Sequence, residues 1–448
     1  MFTNLKLKNF KSFKNVEIDL QSKKDISKPL IIIYGENSSG KTTLTQAFLA
    51  LRRTMATMQL RGMLKDLLDD KFTPPENFPL KSDVVLEILK SKLSTNGIEN
   101  IITDYKLINS TENMSLEYEF NIEGGNGSYY LETDSTKVVR ERLEFTINKN
   151  KGCYFNIDQN NVYINENIFE TKDFDVLIKN QVEMYWGKHT LLSILYFEME
   201  DKADTYINST MSPNLMKLMT SFKNINFLIP KDVDGQKLCL NSENELFGQL
   251  VSGAISKDDK SKLDKLEELL NQFFKSLFSD VEKVFYKESI IEENIEYELF
   301  LRKRIEDYEY DINFDLESNG TKEIMNLLPY LVSAVSGSCV IIDEFGIGIH
   351  DLLADKLLAA IGNQIKGQLI ITTHNTLLMD DTNITPDALY FIMNDKTFKK
   401  SVKCVTKIEE RLHPNYNYRK RYFSNSLYKD ALPNLDKNIN LENLANLY

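Results

Sequence analysis

The chain has 448 residues, 42% of them hydrophobic, so it is long and apolar enough to form two or three domains with real cores. Its 54 Lys and Arg are outnumbered by 66 Asp and Glu, and the net charge of −12 excludes an overall basic field that would attract nucleic acid or anionic membrane. The cysteines lie too far apart in sequence for a zinc site or a redox dithiol; they are Cys153, Cys239, Cys339 and Cys404.

No targeting or membrane signal is visible in the sequence. Residues 1–20 alternate apolar and basic positions and lack the apolar block and cleavage site of a signal peptide. Apolar runs such as residues 29–34 have the length of a strand, well short of the roughly 20 residues that cross a bilayer. Together with the scattered cysteines, these features predict a cytoplasmic protein without a membrane span.

The first predicted elements are strands. Alternation of apolar and polar positions over residues 2–20 predicts a β-hairpin. Residues 30–34 (LIIIY) are continuously apolar and β-branched, which is typical of a strand buried on both faces of a parallel sheet. A glycine-rich turn and a helical pattern follow directly. Residues 115–165 alternate again, with turn signals at 124–127 (GGNG), and predict an antiparallel lobe.

Over the rest of the chain, the spacing of apolar residues changes twice. Helical spacing dominates from about residue 174 to 227 and recurs at 263–277, whereas strand-like alternation returns near 297–316. The last third alternates strand and helix patterns. The sequence therefore predicts one α/β head interrupted by an insertion, in four segments: residues 1–85, the N-terminal half of the head; 86–173, a β-rich lobe; 174–300, a helical insertion; and 301–448, the C-terminal half of the head.

A phosphate-binding loop is the most specific motif. Residues 35–42 (GENSSGKT) fit the eight-position P-loop pattern and stand between an apolar strand and a helical run, a context that argues against a chance match. Glycines let successive N–H groups face phosphates, Lys41 reaches the β- and γ-phosphates, and the Thr42 hydroxyl binds Mg²⁺. The predicted nucleotide-binding residues are Asn37, Ser38, Ser39, Gly40, Lys41, Thr42 and Thr43.

Two later strands end in residues suited to hydrolysis. Residues 339–342 (CVII) lead to Asp343 and Glu344, and residues 368–373 lead to His374. Because adjacent strand residues point to opposite sides, we assign the two carboxylates different roles: Asp343 as a Mg²⁺ ligand and Glu344 as the base that orients water. A helix predicted over 351–361 makes the strands neighbours in a βαβ unit, which brings His374 beside Glu344 to sense the γ-phosphate.

A second helix start provides another anion site. Ser318 and Gly320 lie just before the apolar stripe that begins at Ile324, so exposed N–H groups are expected there. Since the P-loop of the same chain already binds the phosphates, the nucleotide of a second copy is the expected recipient. The motif therefore predicts a homo-oligomer built on a head-to-tail dimer.

These motifs, in this order, resemble the ABC superfamily, in which the signature serine and glycine of one head contact ATP bound to the other. Residues 7–13 (LKNFKSF) are similar to the first strand and turn of RecF, SMC and OLD-type heads. Residues 317–322 (ESNGTK), 373–376 (THNT) and 418–423 (YRKRYF) resemble the stand-alone ATPases of bacterial anti-phage operons, the group that includes the Septu and PARIS ATPases. The chain departs from the transporter signature at Asn319, where glycine is usual.

The resemblance implies an α/β fold, an ABC-type P-loop NTPase head with an antiparallel β lobe and a helical insertion, using ATP and Mg²⁺. It implies an ATP-hydrolysing dimeric switch that controls a separately encoded nuclease or toxin in anti-phage defence; the alternatives are a RecF-like DNA-maintenance ATPase and a module that holds ATP without hydrolysing it. The basic run 419–421, with Tyr416, Tyr418 and Tyr422, offers charge and stacking for nucleic acid as a further partner, although such a run is more often a solvated helix face. Candidates by position for the glutamine that links nucleotide to insertion are Gln46, Gln59 and Gln181.

Overall fold

The computed structural model describes residues 1–59, 97–147, 150–229, 245–380, 384–395, 397–408 and 417–424. The first described segment places five strands before the P-loop and one helix after it. In chain order these are β1 (Phe2–Phe10), β2 (Phe13–Asp19), β3 (Gln21–Lys23), β4 (Ile26–Ser27), β5 (Leu30–Tyr34) and α1 (Lys41–Met55).

A run of strands and then a run of helices follow. They are α2 (Ile98–Tyr105), β6 (Met114–Ile122), β7 (Gly125–Thr133), β8 (Val138–Ile147), β9 (Asn150–Asp158), β10 (Val162–Ile164), α3 (Lys172–Tyr185), α4 (Leu191–Asp201), α5 (Asp204–Thr210), α6 (Pro213–Lys223) and β11 (Asn226–Leu228).

Strands and helices alternate more evenly in the remaining part of the chain. They are β12 (Ser252–Ser256), α7 (Lys260–Leu277), β13 (Val281–Ile291), β14 (Asn294–Ile305), β15 (Tyr308–Asn313), α8 (Asn319–Ser336), β16 (Cys339–Ile342), α9 (Asp351–Gly362), β17 (Gln368–Thr372), β18 (Leu389–Asn394), β19 (Lys400–Cys404), α10 (Val405–Ile408) and α11 (Tyr418–Phe423).

A central sheet carries the strands that end in the predicted site residues. Its order is β11-β16-β17-β5-β18-β19, and all pairs are parallel except β18 with β19. Every residue of β5, β16 and β17 is buried, because helices or sheets cover both faces. The carboxyl ends of these three adjacent strands therefore meet at one edge, as the βαβ prediction required.

An antiparallel sheet unites two regions that the sequence placed in separate segments. Its order is β10-β9-β8-β7-β6-β1-β2, so the N-terminal hairpin extends the β-rich lobe. Helix α1 packs between this sheet and the central sheet: the ring of Phe48 lies 4.9 Å from that of Phe2, and the Tyr118 hydroxyl donates to the carbonyl of Ala47. On the other face of the central sheet, α8 and α9 supply an apolar layer.

The segment predicted as a helical insertion also contains strands. Helices α3 to α6 follow the predicted helical spacing, but β11 then joins the central sheet beside β16. Strands β12 to β15 form a small sheet on which α7 packs. Strand β11 has three residues, too few for periodicity, and the end of β13 is exposed, which removes its alternation. No helix in the described ranges is both long enough and apolar enough to cross a membrane.

Candidate nucleotide-binding site

The P-loop has a backbone shape that only particular residues adopt easily. Gly40 has φ +117° and Ser38 has φ +65°, both in the left-handed region. A Cβ at Gly40 would lie 2.9 Å from a ring carbon of Phe13 and 3.0 Å from Oγ of Ser12. Helix α1 then begins at Lys41 without a side-chain cap, so its first N–H groups remain available to an anion.

Lys41, the lysine of the P-loop motif, is buried beside this loop. Lys41 Nζ donates to the carbonyl oxygens of Gly35 at 2.7 Å and Glu36 at 3.0 Å. Burial lowers the pKa of Lys41, while the carboxylates of Asp343, Glu344 and Glu36 act in the opposite direction. The ammonium therefore lies near three carboxylates but is hydrogen-bonded only to neutral carbonyls, and phosphate oxygens would be stronger acceptors.

The two acidic residues after β16 are arranged by Thr372 of the neighbouring strand. The Thr372 hydroxyl donates to a carboxylate oxygen of buried Asp343 and accepts from the backbone N–H of Glu344 at 2.9 Å. Both acids lie just past the strand end, so strand alternation does not separate them as predicted. Instead Glu344 has φ +58°, a conformation that costs a non-glycine residue about 1–2 kcal/mol. That turn directs Glu344 into a cleft and leaves Asp343 behind it.

His374 follows β17 and is exposed at the same edge. The imidazole is only partly shielded from water, but this partial desolvation lowers its pKa, the nearby Lys41 ammonium lowers it further, and the carboxylates after β16 oppose the shift. The preceding residue ties the two strand ends together, because the Thr373 hydroxyl donates to the carbonyl of Phe345 at 2.8 Å. A neutral imidazole at this position can donate or accept a hydrogen bond at a phosphate.

One open cleft of about 240 Å³ brings most of the predicted site together. Ser39 and Asp343 are buried behind it, and Ser318 and Gly320 do not line it. Two lining residues, Ser12 and Glu36, had no predicted role, although Ser12 lies in the 7–13 motif. The lining residues are Ser12, Glu36, Asn37, Ser38, Gly40, Lys41, Thr42, Thr43, Glu344 and His374.

Glu36 adds an unexpected negative group to the cleft. One of its carboxylate oxygens is buried and has no hydrogen-bond partner. Burial raises the pKa of this carboxyl, and Lys41 partly offsets the effect. The second position of the P-loop pattern accepts any residue, so the motif itself contained no signal for this group.

The tip of helix α8 lies on the surface. Ser318 caps the helix by accepting from the backbone N–H of Thr321 at 3.2 Å, and both Ser318 and Asn319 are exposed. A Cβ at Gly320 would lie 3.1 Å from the carbonyl oxygen of Gly348, so the tip adjoins the loop that follows Glu344. The tip is thus accessible to another molecule, as the dimer prediction requires.

The three candidate linking glutamines do not line the cleft. Gln46 is buried and accepts from Lys11 Nζ at 2.6 Å, and Gln181 donates to the carboxylate of Glu198. Gln59 lies beyond the end of α1. Position in the sequence identifies no linking glutamine among them.

The basic run 419–421 is part of α11. Two of its three tyrosine neighbours pack inward: Tyr418 is buried, and the ring of Tyr422 lies 6.3 Å from that of Tyr34. Tyr416 lies outside the described residues. The two described tyrosines contribute to packing beside β5 and do not form an open stacking surface for bases.

Comparisons with known proteins add a family context to this geometry. Residues 223–380 match the family described as "AAA domain, putative AbiEii toxin, Type IV TA system", and residues 1–64 match a second AAA domain family. None of the curated proteins matches the chain. The two matched ranges contain the P-loop, the α8 tip and both strand ends of the cleft.

Two solved structures are similar to the chain over most of its length. The SMC head domain from Thermotoga maritima is 15% identical, with a TM-score of 0.39, over 90% of this chain and 98% of that chain. The Smc head domain with an extended coiled coil from Pyrococcus furiosus, bound to the C-terminal domain of ScpA, is 12% identical, with a TM-score of 0.38, over 90% and 95% of the two chains.

Strand order, P-loop geometry and the matched domains together define the class. Two parts of the chain match AAA domain families, and its sheets and helices have the mixed α/β arrangement of a P-loop NTPase head. The predicted fold class is confirmed.

Proposed function

We propose that this chain binds ATP with Mg²⁺ and hydrolyses it. The observation that supports this most directly is the cleft that joins the start of α1 to the ends of β16 and β17. Lys41 and Thr42 come from the first of these elements, Glu344 from the second and His374 from the third. An anion-binding helix start, a cation, a carboxylate and an imidazole around one opening form the set that phosphoryl transfer to water requires.

The residues fit a bound nucleotide. The left-handed turn at Gly40 leaves a concave cradle that a Cβ would fill, and within the described residues the ammonium of Lys41 is hydrogen-bonded to carbonyl oxygens and to no carboxylate. Lys41 would neutralise the β- and γ-phosphates. Glu344 would orient and deprotonate the attacking water, and His374 would hydrogen-bond the γ-phosphate.

Mg²⁺ also fits, provided that phosphate supplies part of its coordination. Thr42 lines the cleft, and Asp343 is buried behind it with one carboxylate oxygen bonded by Thr372. The described ranges contain no group of three His, Cys, Asp or Glu side chains able to hold a metal alone. Mg²⁺ commonly takes one or two protein ligands plus phosphate and water, and here it would neutralise charge that develops on the phosphates.

The head-to-tail dimer is the second part of the proposal. Ser318 and Asn319 are exposed at a helix start, yet they do not line the cleft of their own chain. Exposed N–H groups at a helix start attract phosphate. In a dimer, this tip would cover the γ-phosphate bound to the P-loop of the other copy, so that ATP joins two heads and hydrolysis releases them.

We further propose that this cycle controls a separately encoded effector in anti-phage defence. The description of the family matched by residues 223–380 names a toxin and a toxin–antitoxin system, which favours this use of the head. The regions outside the cleft, including helices α3 to α6 and the small sheet, would hold the effector until nucleotide state changes.

Activity of purified protein with Mg-ATP tests the first proposal. Lys41→Ala should abolish ATP binding, because it removes the cation at the phosphates. Glu344→Gln should retain ATP and lower kcat about 100-fold or more, which is the usual contribution of a general base. The measurements are equilibrium ATP binding and phosphate release.

Matched controls exclude non-specific effects. Lys24→Ala removes an exposed lysine between β3 and β4, and Glu292→Gln makes the same change as Glu344→Gln at another left-handed residue, in the exposed turn between β13 and β14. Both should bind and hydrolyse ATP like the parent. Hydrolysis at the parental rate by Glu344→Gln would show that another group activates water.

Complementation tests the dimer. Ser318→Arg should bind ATP but not hydrolyse it, since the larger side chain blocks a contact made in the partner's site. A mixture of Ser318→Arg with Lys41→Ala should regain up to one working site per dimer, and full activity of Ser318→Arg alone would contradict the arrangement. Co-purification of a protein encoded beside this chain would support effector control, whereas DNA binding without any partner would favour the RecF-like alternative.

A further inference from the structure

The hairpin formed by β18 and β19 contacts the P-loop at two points. Lys400 Nζ, at the start of β19, donates to the carbonyl oxygen of Ser38 at 3.1 Å. A Cβ at Gly35 would lie 3.2 Å from Cβ of Ile392 in β18. The first residue of the loop thus packs on one strand of the hairpin, and its fourth residue is hydrogen-bonded by the other.

Hydrogen bonds to the side chain of Asp395 hold the backbone just before Lys400. One carboxylate oxygen of Asp395 accepts from the backbone N–H groups of Thr397 and Lys399, at 2.8 and 2.9 Å. These bonds fix the backbone immediately before β19. The position of Lys400 therefore follows from the turn as well as from its own contact with the loop.

Lys400 has few other partners among the residues that the structure describes. Its ammonium lies 5.7 Å from the ring centroid of Phe13, the ring that also packs against Gly40. Burial lowers the pKa of Lys400, and within the described ranges no carboxylate offsets that effect. In the described part of the chain, the carbonyl of Ser38 is the hydrogen-bond acceptor of this half-buried cation.

The peptide group between Ser38 and Ser39 is hydrogen-bonded at both its carbonyl and its N–H. The Ser38 carbonyl accepts from Lys400, and the N–H of the same peptide, which belongs to Ser39, donates to the Glu36 carbonyl at 3.1 Å. Ser38 is in the left-handed region, which costs a non-glycine residue about 1–2 kcal/mol. Without an external bond, the loop would relax toward shapes in which its N–H groups no longer converge on phosphate.

We propose that Lys400 is a positioning residue for nucleotide binding, which holds the P-loop in its phosphate-binding shape before nucleotide arrives. The inference rests on the proposed function of the cleft. If only a fraction of molecules has the competent loop shape, the apparent affinity falls by that fraction. Lys400 raises that fraction without touching the reacting atoms, so it affects binding and leaves the chemical step unchanged.

Isothermal titration with Mg-ATP and Mg-ADP tests the inference. Lys400→Met keeps the apolar stem and removes the charge, and it should weaken binding of both nucleotides about 3- to 10-fold, the range expected for the loss of one partly exposed hydrogen bond. KM should rise by the same factor, while kcat at saturating ATP stays within about twofold. Lys400→Arg should restore affinity. Lys403→Met, on the same strand but exposed, is the matched control.

A second comparison separates positioning from general stability. Glycine adopts the left-handed region without strain, so Lys400→Met should weaken binding less in a Ser38→Gly background than in the parent. Equal loss in both backgrounds, or unchanged affinity of Lys400→Met in the parent, overturns the inference. Thermal melting checks the fold, and Lys400→Gln replaces Lys400→Met in the same comparison if the latter melts early. Failure of the parent itself to bind ATP would instead overturn the proposed function.

Discussion

The carboxylate of Glu141 should make the stability of this protein depend on pH in a direction opposite to that of most acidic residues. Glu141 is fully buried and accepts four hydrogen bonds, from the Tyr129 hydroxyl, the Trp186 indole and the backbone N–H groups of Leu191 and Leu192. Burial nevertheless raises its pKa to about 7, from an ordinary value of 4.5, because the four donors offset desolvation only in part.

The sign and size of this pH dependence follow from the linkage between proton binding and folding. Below pH 4.5 the group is protonated in both the folded and the unfolded chain. Between pH 4.5 and 7 the unfolded chain releases its proton while the folded chain retains it, so the free energy of unfolding falls as pH rises. The full difference corresponds to about 3 kcal/mol, and above pH 7 it no longer changes.

Glu141→Gln removes this dependence while keeping most of the hydrogen bonds. The amide oxygen can accept from Trp186 and Leu191, and the amide nitrogen can donate to Tyr129 once that hydroxyl rotates; the longest bond, 3.3 Å from Leu192, is lost. As pH rises from 4.5 to 8, the free energy of unfolding of the variant should therefore increase by about 3 kcal/mol relative to that of the parent.

Urea denaturation followed by tryptophan fluorescence measures this effect. Trp186 is the single tryptophan of the chain and contacts Glu141 directly, so its signal reports on this region. Glu296→Gln, at an exposed position of β14, should follow the parent at every pH. Parallel curves for the parent and Glu141→Gln across pH 5 to 8 would refute the reasoning.

Two substitutions test the structure around α1. Gly40→Ala should abolish nucleotide binding and lower the free energy of unfolding by about 1–3 kcal/mol, because its Cβ meets the Phe13 ring; Gly124→Ala, also at positive φ but in open space, should bind ATP like the parent. Ser193→Ala should lower the free energy of unfolding by about 1–3 kcal/mol, measured by urea denaturation, since it leaves the buried N–H of Met58 without its acceptor.

Much of the fold could be predicted because its strands differ in composition. Continuous apolar runs at β5, β16 and β17 indicated parallel strands covered on both faces, and alternating runs at β6 to β9 indicated an antiparallel sheet. Local periodicity says nothing, however, about which distant strand is the neighbour. The pairing of β1 with β6 merged two predicted segments, and β11 is too short to have a period.

The candidate site divides in the same way. Residues within one motif or at a strand end could be placed from sequence, since the P-loop pattern and the βαβ rule fix their surroundings. Lys400 could not be placed at the site from sequence, because its contact with Ser38 joins residues more than 360 positions apart and depends on the length of a turn. Thr372, which arranges both Asp343 and Glu344, likewise acts across neighbouring strands.

Helix α1 connects the cleft to the helical region by polar bonds at its far end. It begins at Lys41, and after 15 residues, or about 22 Å, its last carbonyls and the following turn meet α4. There the Thr190 hydroxyl donates to the Thr54 carbonyl at 3.2 Å, and Ser193 Oγ accepts from the N–H of Met58 at 2.8 Å. A helix of this length moves as a rod, so a rotation at the phosphates must either carry α4 with it or break these buried bonds at a cost of about 1–3 kcal/mol each. Moving together is the less expensive response, and we therefore expect the helical region to follow any rotation of α1 at the proposed nucleotide site.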